Sequence, residues 1–189
     1  LTVDVDGPPT AVTVRNVLIK YYLDFKPGWR FRASIESPSA TIFVPDTVSI
    51  EEVTQNYPAV ASNIKKDWEA LQIKAAGILN PISVRNLTGD RGSLLGRGVL
   101  LSINTNIGES SSLKFQGIYG DGIASFLNLA DNTAFDVVLN PNDGDYQLTT
   151  CYGGYIAYNL NIVKKYLDMD IVYGLVKLNM EDYFPENLF

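Results

Sequence analysis

Strict alternation of apolar and polar side chains is the feature that most limits what this chain can fold into. Ile19, Tyr21, Leu23 and Phe25 share one parity, with Val17 leading in. After Lys26-Pro27-Gly28, Trp29, Phe31, Ala33 and Ile35 alternate with Arg30, Arg32, Ser34 and Glu36. Successive side chains of a strand point to opposite faces, so each run reads as a half-buried strand. Proline fixes φ and glycine tolerates positive φ, so the two runs read as a hairpin. Val99, Leu101 and Ile103 repeat the period, as do Leu113 with Phe115 and Phe135 with Val137 and Leu139. Residues 146–152 and 155–163 flank Gly153-Gly154, a hairpin signal, and Ile171 to Leu178 reads as a buried strand.

One region shows a different spacing. Ser49 and Glu52 match a capping box, and Pro58 suits a first helical turn. Val60, Ile64, Trp68, Leu71 and Ala75 recur at steps of four, four, three and four, with Gly77 and Asn80-Pro81 as stop signals. The spacing predicts one helical region over residues 49–78. The expected fold class is α+β: a mostly antiparallel β-sheet and that helical region, in a single domain over residues 1–180, followed by an apolar tail over 181–189. A β-sandwich or jelly roll with the helical region inserted is the alternative.

Composition then removes chemistry. The 189 residues include no His and one Cys, which excludes the usual triads, the Cys–His dyad, a disulfide framework and a multi-thiolate zinc site. No stretch of 18 uncharged apolar residues spans a membrane as a helix, and no signal peptide opens the chain. The start at Leu1 reads as a processed or truncated end. Residues 1–98 hold 11 Lys/Arg against 10 Asp/Glu, whereas residues 99–189 hold 4 against 11. Unlike-charged surfaces of this kind attract between neighbouring copies. The acidic balance argues against direct nucleic-acid binding.

Most motifs fail on inspection. The Gly89–Gly98 stretch lacks the Lys-Ser/Thr of a phosphate loop and reads as a surface loop. Asn142-Asp143-Gly144-Asp145 reads as a turn rather than a calcium loop. Asp168 and Asp170 read as an acidic surface, and Asn86-Leu87-Thr88 is a bare glycosylation sequon. Lys20, Lys26, Arg30 and Arg32 have matching parity on the polar face of the first hairpin, diluted by Asp24 and Glu36. They are the candidate contact to acidic lipid or nucleic-acid phosphate. The Tyr residues clustered over 146–173, with Trp29 and Trp68, are the features that favour a carbohydrate-binding β module. Tyr183, Phe184, Leu188 and Phe189 are costly to leave in water and are the candidate self-association surface.

A strand pair with a basic edge, a Trp68-bearing helix and late β-hairpins resemble, in that order, the matrix proteins of rhabdoviruses. The stretch Cys151-Tyr152-Gly153-Gly154-Tyr155-Ile156-Ala157-Tyr158-Asn159-Leu160-Asn161-Ile162 and Tyr173-Gly174-Leu175-Val176 carry the resemblance. Pro8-Pro9 is not completed to the Pro-Pro-x-Tyr budding motif, and no basic arm is present. The resemblance implies self-association beneath an envelope, with contacts to nucleocapsid and acidic lipid. The expectation is a non-enzymatic viral structural protein of the virion, homo-oligomeric and without cofactor, matrix-like or else a jelly-roll coat protein. It has other viral structural proteins and a membrane surface as its possible partners.

Overall fold

The computed structural model describes residues 18–37, 40–43, 50–53, 57–86, 91–127, 135–139, 145–163 and 166–179. Val17, Ser49, Leu87, Thr88, Asn142, Asp143, Gly144, Tyr183, Phe184, Leu188 and Phe189 lie outside the described residues.

The strands in chain order are β1 (Leu18–Lys26), β2 (Trp29–Glu36), β3 (Ile42–Phe43), β4 (Ile50–Val53), β5 (Ala59–Asp67) and β6 (Leu71–Asn86). They continue with β7 (Arg91–Ile107), β8 (Ser111–Asp121), β9 (Val137–Leu139), β10 (Tyr146–Leu148), β11 (Thr150–Val163) and β12 (Leu167–Asn179). The main sheet is an antiparallel meander in the order β1-β2-β5-β6-β7-β8-β11-β12, with β4 pairing β6 at the side. A second sheet, β10-β9-β3, has three short strands, β3 running parallel to β9. Tight turns join β1 to β2, β5 to β6 and β7 to β8 at one end, and the connection 164–166 leaves from that end too. The long connections 37–58 and 122–149 leave from the other end.

The α+β expectation is corrected. The described residues form an almost wholly antiparallel β fold, and residues expected to be helical form β4, β5 and the first half of β6. A step of four keeps a residue on one face of a helix, but it also preserves strand parity. Val60 and Ile64 accordingly share one face of β5, and Leu71 and Ala75 continue it on β6. The step of three from Trp68 to Leu71 crosses the β5–β6 turn, closed by the Trp68 N–H donating to the Leu71 carbonyl at 2.7 Å. Asn80-Pro81 lies within β6 rather than ending a helix; β5 stops pairing at Leu79, so the missing proline N–H interrupts no β5 bond. The sandwich and jelly-roll alternative is corrected too, since one broad meander replaces two facing Greek-key sheets.

Two glycine readings change in the same way. Gly153-Gly154 is not a turn: β11 runs straight through it, paired with β8 and β12 on its two sides. A Cβ on Gly154 would lie 2.7 Å from the Gln116 carbonyl oxygen, so the residue permits close strand approach. The stretch read as a surface loop belongs to β7 from Arg91 onward. The run Ile171 to Leu178 is a strand, as expected, but Ile171, Tyr173 and Leu175 are exposed rather than buried.

Apart from irregularities after Asp24, Ile50 and Asn161 the pairings keep one register, so each parity is continuous across the sheet. One face, here termed outer, carries Ile19, Leu23, Val60, Val99, Leu101 and Ile156 among its exposed apolar side chains. The opposite, inner face is covered toward the long-connection end by a folded layer. That layer comprises a single 3-10 turn (Ala124–Phe126) and the three-stranded sheet. Ile123 is the knob of this layer. It fills the space left by Gly98 and Gly120, where any Cβ would collide with its side chain. Ile123, Phe126 and Leu127 are buried there against Ala59, Ile118 and Cys151. Further along, Val137 packs on Ile82 and Val84 of β6, with Ile42, Leu94 and Leu148 around them. Full burial of one such aliphatic side chain stabilises by about 1.5–3 kcal/mol.

Gly98 and Gly120 differ in what constrains them. A Cβ on Gly98 meets chiefly the tip of Ile123, whereas one on Gly120 also meets the Arg97 carbonyl and the Gly98 backbone. Gly98→Ala is therefore expected to cost about 1–3 kcal/mol and to be largely rescued by adding Ile123→Ala. Gly120→Ala is expected to resist the same rescue. Guanidinium unfolding of the four variants checks this; equal rescue at both positions refutes the distinction.

Candidate functional site

The inner face beyond the folded layer is polar and charged, and cross-strand register sets its layout. Asp24, Arg30, Lys65 and Lys74 lie opposite one another in sequence across β1, β2, β5 and β6. Like charges directly opposite on a sheet are destabilising, so this row needs compensation. Asp67 supplies part of it: its carboxylate pairs with Arg30 and, at 3.2 Å, with Lys65. No carboxylate among the described residues pairs with Lys74, and the charges of Arg32 and Lys65 act on it. Arg32 sits with its guanidinium carbon 5.3 Å from the centre of the Tyr22 ring. Tyr22, Arg32, Lys74 and Phe126 of the folded layer border a cleft of about 360 Å³ that Lys20 and Glu36 also line.

Charge is graded along the sheet. Lys114 lies opposite Asn104 on β7 and β8, and the far end carries Asp168 and Asp170 on β12. Asn159 donates its side-chain amide to Asp170 at 2.9 Å. The inner face thus runs from cationic on β1, β2, β5 and β6 to acidic on β12.

The outer face has the opposite chemistry and is bounded at both ends. At the tight-turn end Phe25 and Trp29 pack with ring centres 5.9 Å apart, and Trp68 and Tyr166 are exposed in the turns. Lys66 Nζ lies 5.3 Å from the Trp29 ring centre and 5.5 Å from that of Trp68, and donates to the Pro27 carbonyl. Toward the other end Tyr119 and Tyr152 stand opposite each other, and Tyr57 is exposed. Beyond them an Arg97–Asp121 ion pair, 3.5 Å, returns the face to polar.

Three of the four basic residues singled out in the sequence share the inner face: Lys20, Arg30 and Arg32. Lys26 closes the hairpin opposite Trp29, past a register irregularity after Asp24. Asp24 and Glu36 share the polar face with them, Asp24 directly opposite Arg30. Lys65, Lys74 and Lys114 were not singled out. A period-two reading of residues 59–86 puts Lys65 and Lys74 on the polar parity; the helical reading scattered them.

No family model matches the chain, and no curated protein does. Among solved structures, the outer membrane channel DcaP of Acinetobacter baumannii aligns with 97% of this chain at a TM-score of 0.78 and 16% identity. The alignment covers 50% of that channel, so this chain spans about half its length. At that identity the likeness is one of fold.

Proposed function

We propose that this sheet is the wall of a transmembrane β-barrel channel, its outer face against lipid and its inner face lining an aqueous passage. The observation that carries this reading is an apolar outer face, covered by none of the described residues along the meander, on strands long enough to cross a bilayer. Lipid chains satisfy such a face, while water makes it costly. The 11 residues of β8, tilted about 40°, rise roughly 25–30 Å, the thickness of a hydrocarbon core. Aromatic side chains gathered near both ends match the girdles of membrane barrels. No described helix is long and apolar enough to cross a membrane, so strands would have to do so. The fold of the DcaP channel supports the same reading.

Several details fit. β1 and β12 each keep one edge unpaired among the described residues, and a barrel in lipid must pair both, with more chain or with another copy. In this reading Lys20, Arg30 and Arg32 face the passage, away from acidic lipid. With Lys65 and Lys74 they give that part of the wall a positive potential, which favours anionic solutes. The folded layer narrows the passage toward its long-connection end. Two elements on which the matrix-protein resemblance was read differ here: Trp68 lies in the β5–β6 turn, and Gly153-Gly154 lies within β11.

The first test is reconstitution of the full chain in planar bilayers, together with its behaviour in water. Discrete current steps in bilayers, and insolubility without detergent or lipid, are expected. A water-soluble assembly of many copies without channel activity would favour self-association over the channel reading. If steps occur, a tenfold KCl gradient should give an anion-selective reversal potential, and Arg32→Gln with Lys74→Gln should move it toward zero. An unchanged potential would remove these two residues from selectivity.

A second test concerns the lipid face. Leu101 is on the outer face and Ser102, its neighbour, on the inner. Leu101→Arg is expected to destabilise the protein in phospholipid vesicles by about 2–4 kcal/mol, and Ser102→Arg by much less. Guanidinium unfolding from vesicles measures both; equal costs would contradict the assignment of faces.

A further inference from the structure

Asp136 is fully buried within the folded layer, immediately before β9. Its two carboxylate oxygens have separate tasks. Oδ2 accepts the Thr41 backbone N–H at 2.8 Å, and Oδ1 accepts the Ser125 backbone N–H at 3.0 Å. Its own backbone completes the knot: its N–H donates to the Thr41 carbonyl at 2.8 Å, and its carbonyl accepts the Thr149 N–H at 2.9 Å. Thr149 in turn accepts from Gly122 through its carbonyl, also at 2.9 Å. One residue thereby ties together the segment before β3, the 3-10 turn, the small sheet and the start of β11.

We propose that Asp136 is the positioning residue whose carboxyl latches the 3-10 turn to the small sheet of the folded layer, and that its protonation state sets how firmly that turn is held over the main sheet. The groups facing it are the argument. Thr41 approaches from the β3 segment and Ser125 from the 3-10 turn, neither of them charged. Cys151 of β11 feels its charge, and no cation among the described residues acts on it. A buried carboxylate with hydrogen bonds but no counter-charge costs more than the neutral acid in the same place. Burial raises the Asp136 carboxyl above its ordinary value, and the hydrogen bonds from the Ser125 backbone and side chain and from the Thr41 and Ala124 backbones hold back only part of the rise.

The sign follows from linkage. A proton bound more tightly in the latched state than in a released, hydrated state stabilises the latch as pH falls. The layer is held more firmly below the raised pKa and loosens as pH rises through it. Below the ordinary carboxylate range both states are protonated, and the dependence ends.

Cys151 is a built-in reporter. It is the chain's one cysteine, fully buried beneath Ile123, Phe126 and Leu127. The experiment measures its alkylation by a small maleimide in the folded, lipid-reconstituted full chain between pH 5 and 8. Each rate is divided by that of the unfolded chain at the same pH, which removes the thiol's own reactivity. Wild type should become steadily more protected as pH falls from 8 to 5, the full effect of about tenfold for each unit separating the latched and released pKa values being reached only below the ordinary carboxylate range. Asp136→Asn removes the charge but turns an amide donor toward one of the two backbone N–H groups, so it should be less protected than wild type at low pH, with a protection that does not change with pH. Asp136→Ala should be exposed at every pH. Ile123→Ala, which loosens the layer elsewhere, should raise the rate yet keep the pH trend, and serves if Asp136→Ala fails to fold. An Asn variant that retains the wild-type trend overturns the charge control, and a protected, folded Ala variant overturns the latch. The measurement reads the layer itself, so it stands whether or not bilayer current is found.

Discussion

Parity is the constraint on which everything else in this structure depends. Strands paired flush across a meander cannot choose their faces one at a time: once Ile19 stands opposite Ile35, and Ile35 opposite Val60, the outer side is fixed for Leu79 and every later strand. A one-residue slip would exchange the faces of a whole strand. Both faces therefore specify the register, one by its apolar side chains and the other by its charges and its glycine-backed pocket. A water-soluble sheet of this breadth would hide its apolar face under helices or a second sheet. Here the covering layer sits on the other side.

That inversion explains which parts of the fold were legible in the sequence. Alternation identified β1, β2 and the cores of β7 and β8, because period two leaves no other reading for runs such as Trp29 to Glu36. It failed over 59–78 because Val60, Ile64, Leu71 and Ala75 are spaced by fours, which satisfy both periods. Only pairing with neighbours on both sides decides between them, and pairing is not a local property. Gly153-Gly154 misled for a related reason. A glycine pair signals a turn when the chain is read alone, but here the requirement is imposed by the Gln116 carbonyl of β8 beside it. The candidate site was half legible. Lys20, Arg30 and Arg32 followed from parity, whereas Lys65 and Lys74 vanished with the misread helix. The four aromatic and apolar residues of the tail lie outside the described residues.

The charged inner face has an energetic logic of its own. Arg30, Lys65 and Lys74 in one cross-strand row repel, and Asp67 compensates the first two while leaving the third. A sheet selected for stability alone would interleave signs along such a row. Retaining a lysine with no paired carboxylate among the described residues beside Arg32 concentrates positive potential in the cleft below Phe126. The grading toward Asp168 and Asp170 on β12 separates the two signs across the sheet. Uneven charge between the two halves of the sequence thus becomes an uneven charge around one face.

The folded layer and the glycines beneath it are two halves of one device. Gly98 and Gly120 leave an inner-face recess that a methyl group would close, and Ile123 occupies it. Apolar packing of that kind holds the layer at any pH, since nothing in it titrates. The Asp136 carboxyl adds directional bonds to two backbone segments at the expense of burying an acid with no counter-ion among the described residues. Packing fixes where the layer sits, and the carboxyl determines how strongly it is held there. An amide at the same position has one acceptor oxygen for two N–H groups, so it would lose one bond together with the response to protons. That difference separates a structural knot from one whose strength the surroundings can set.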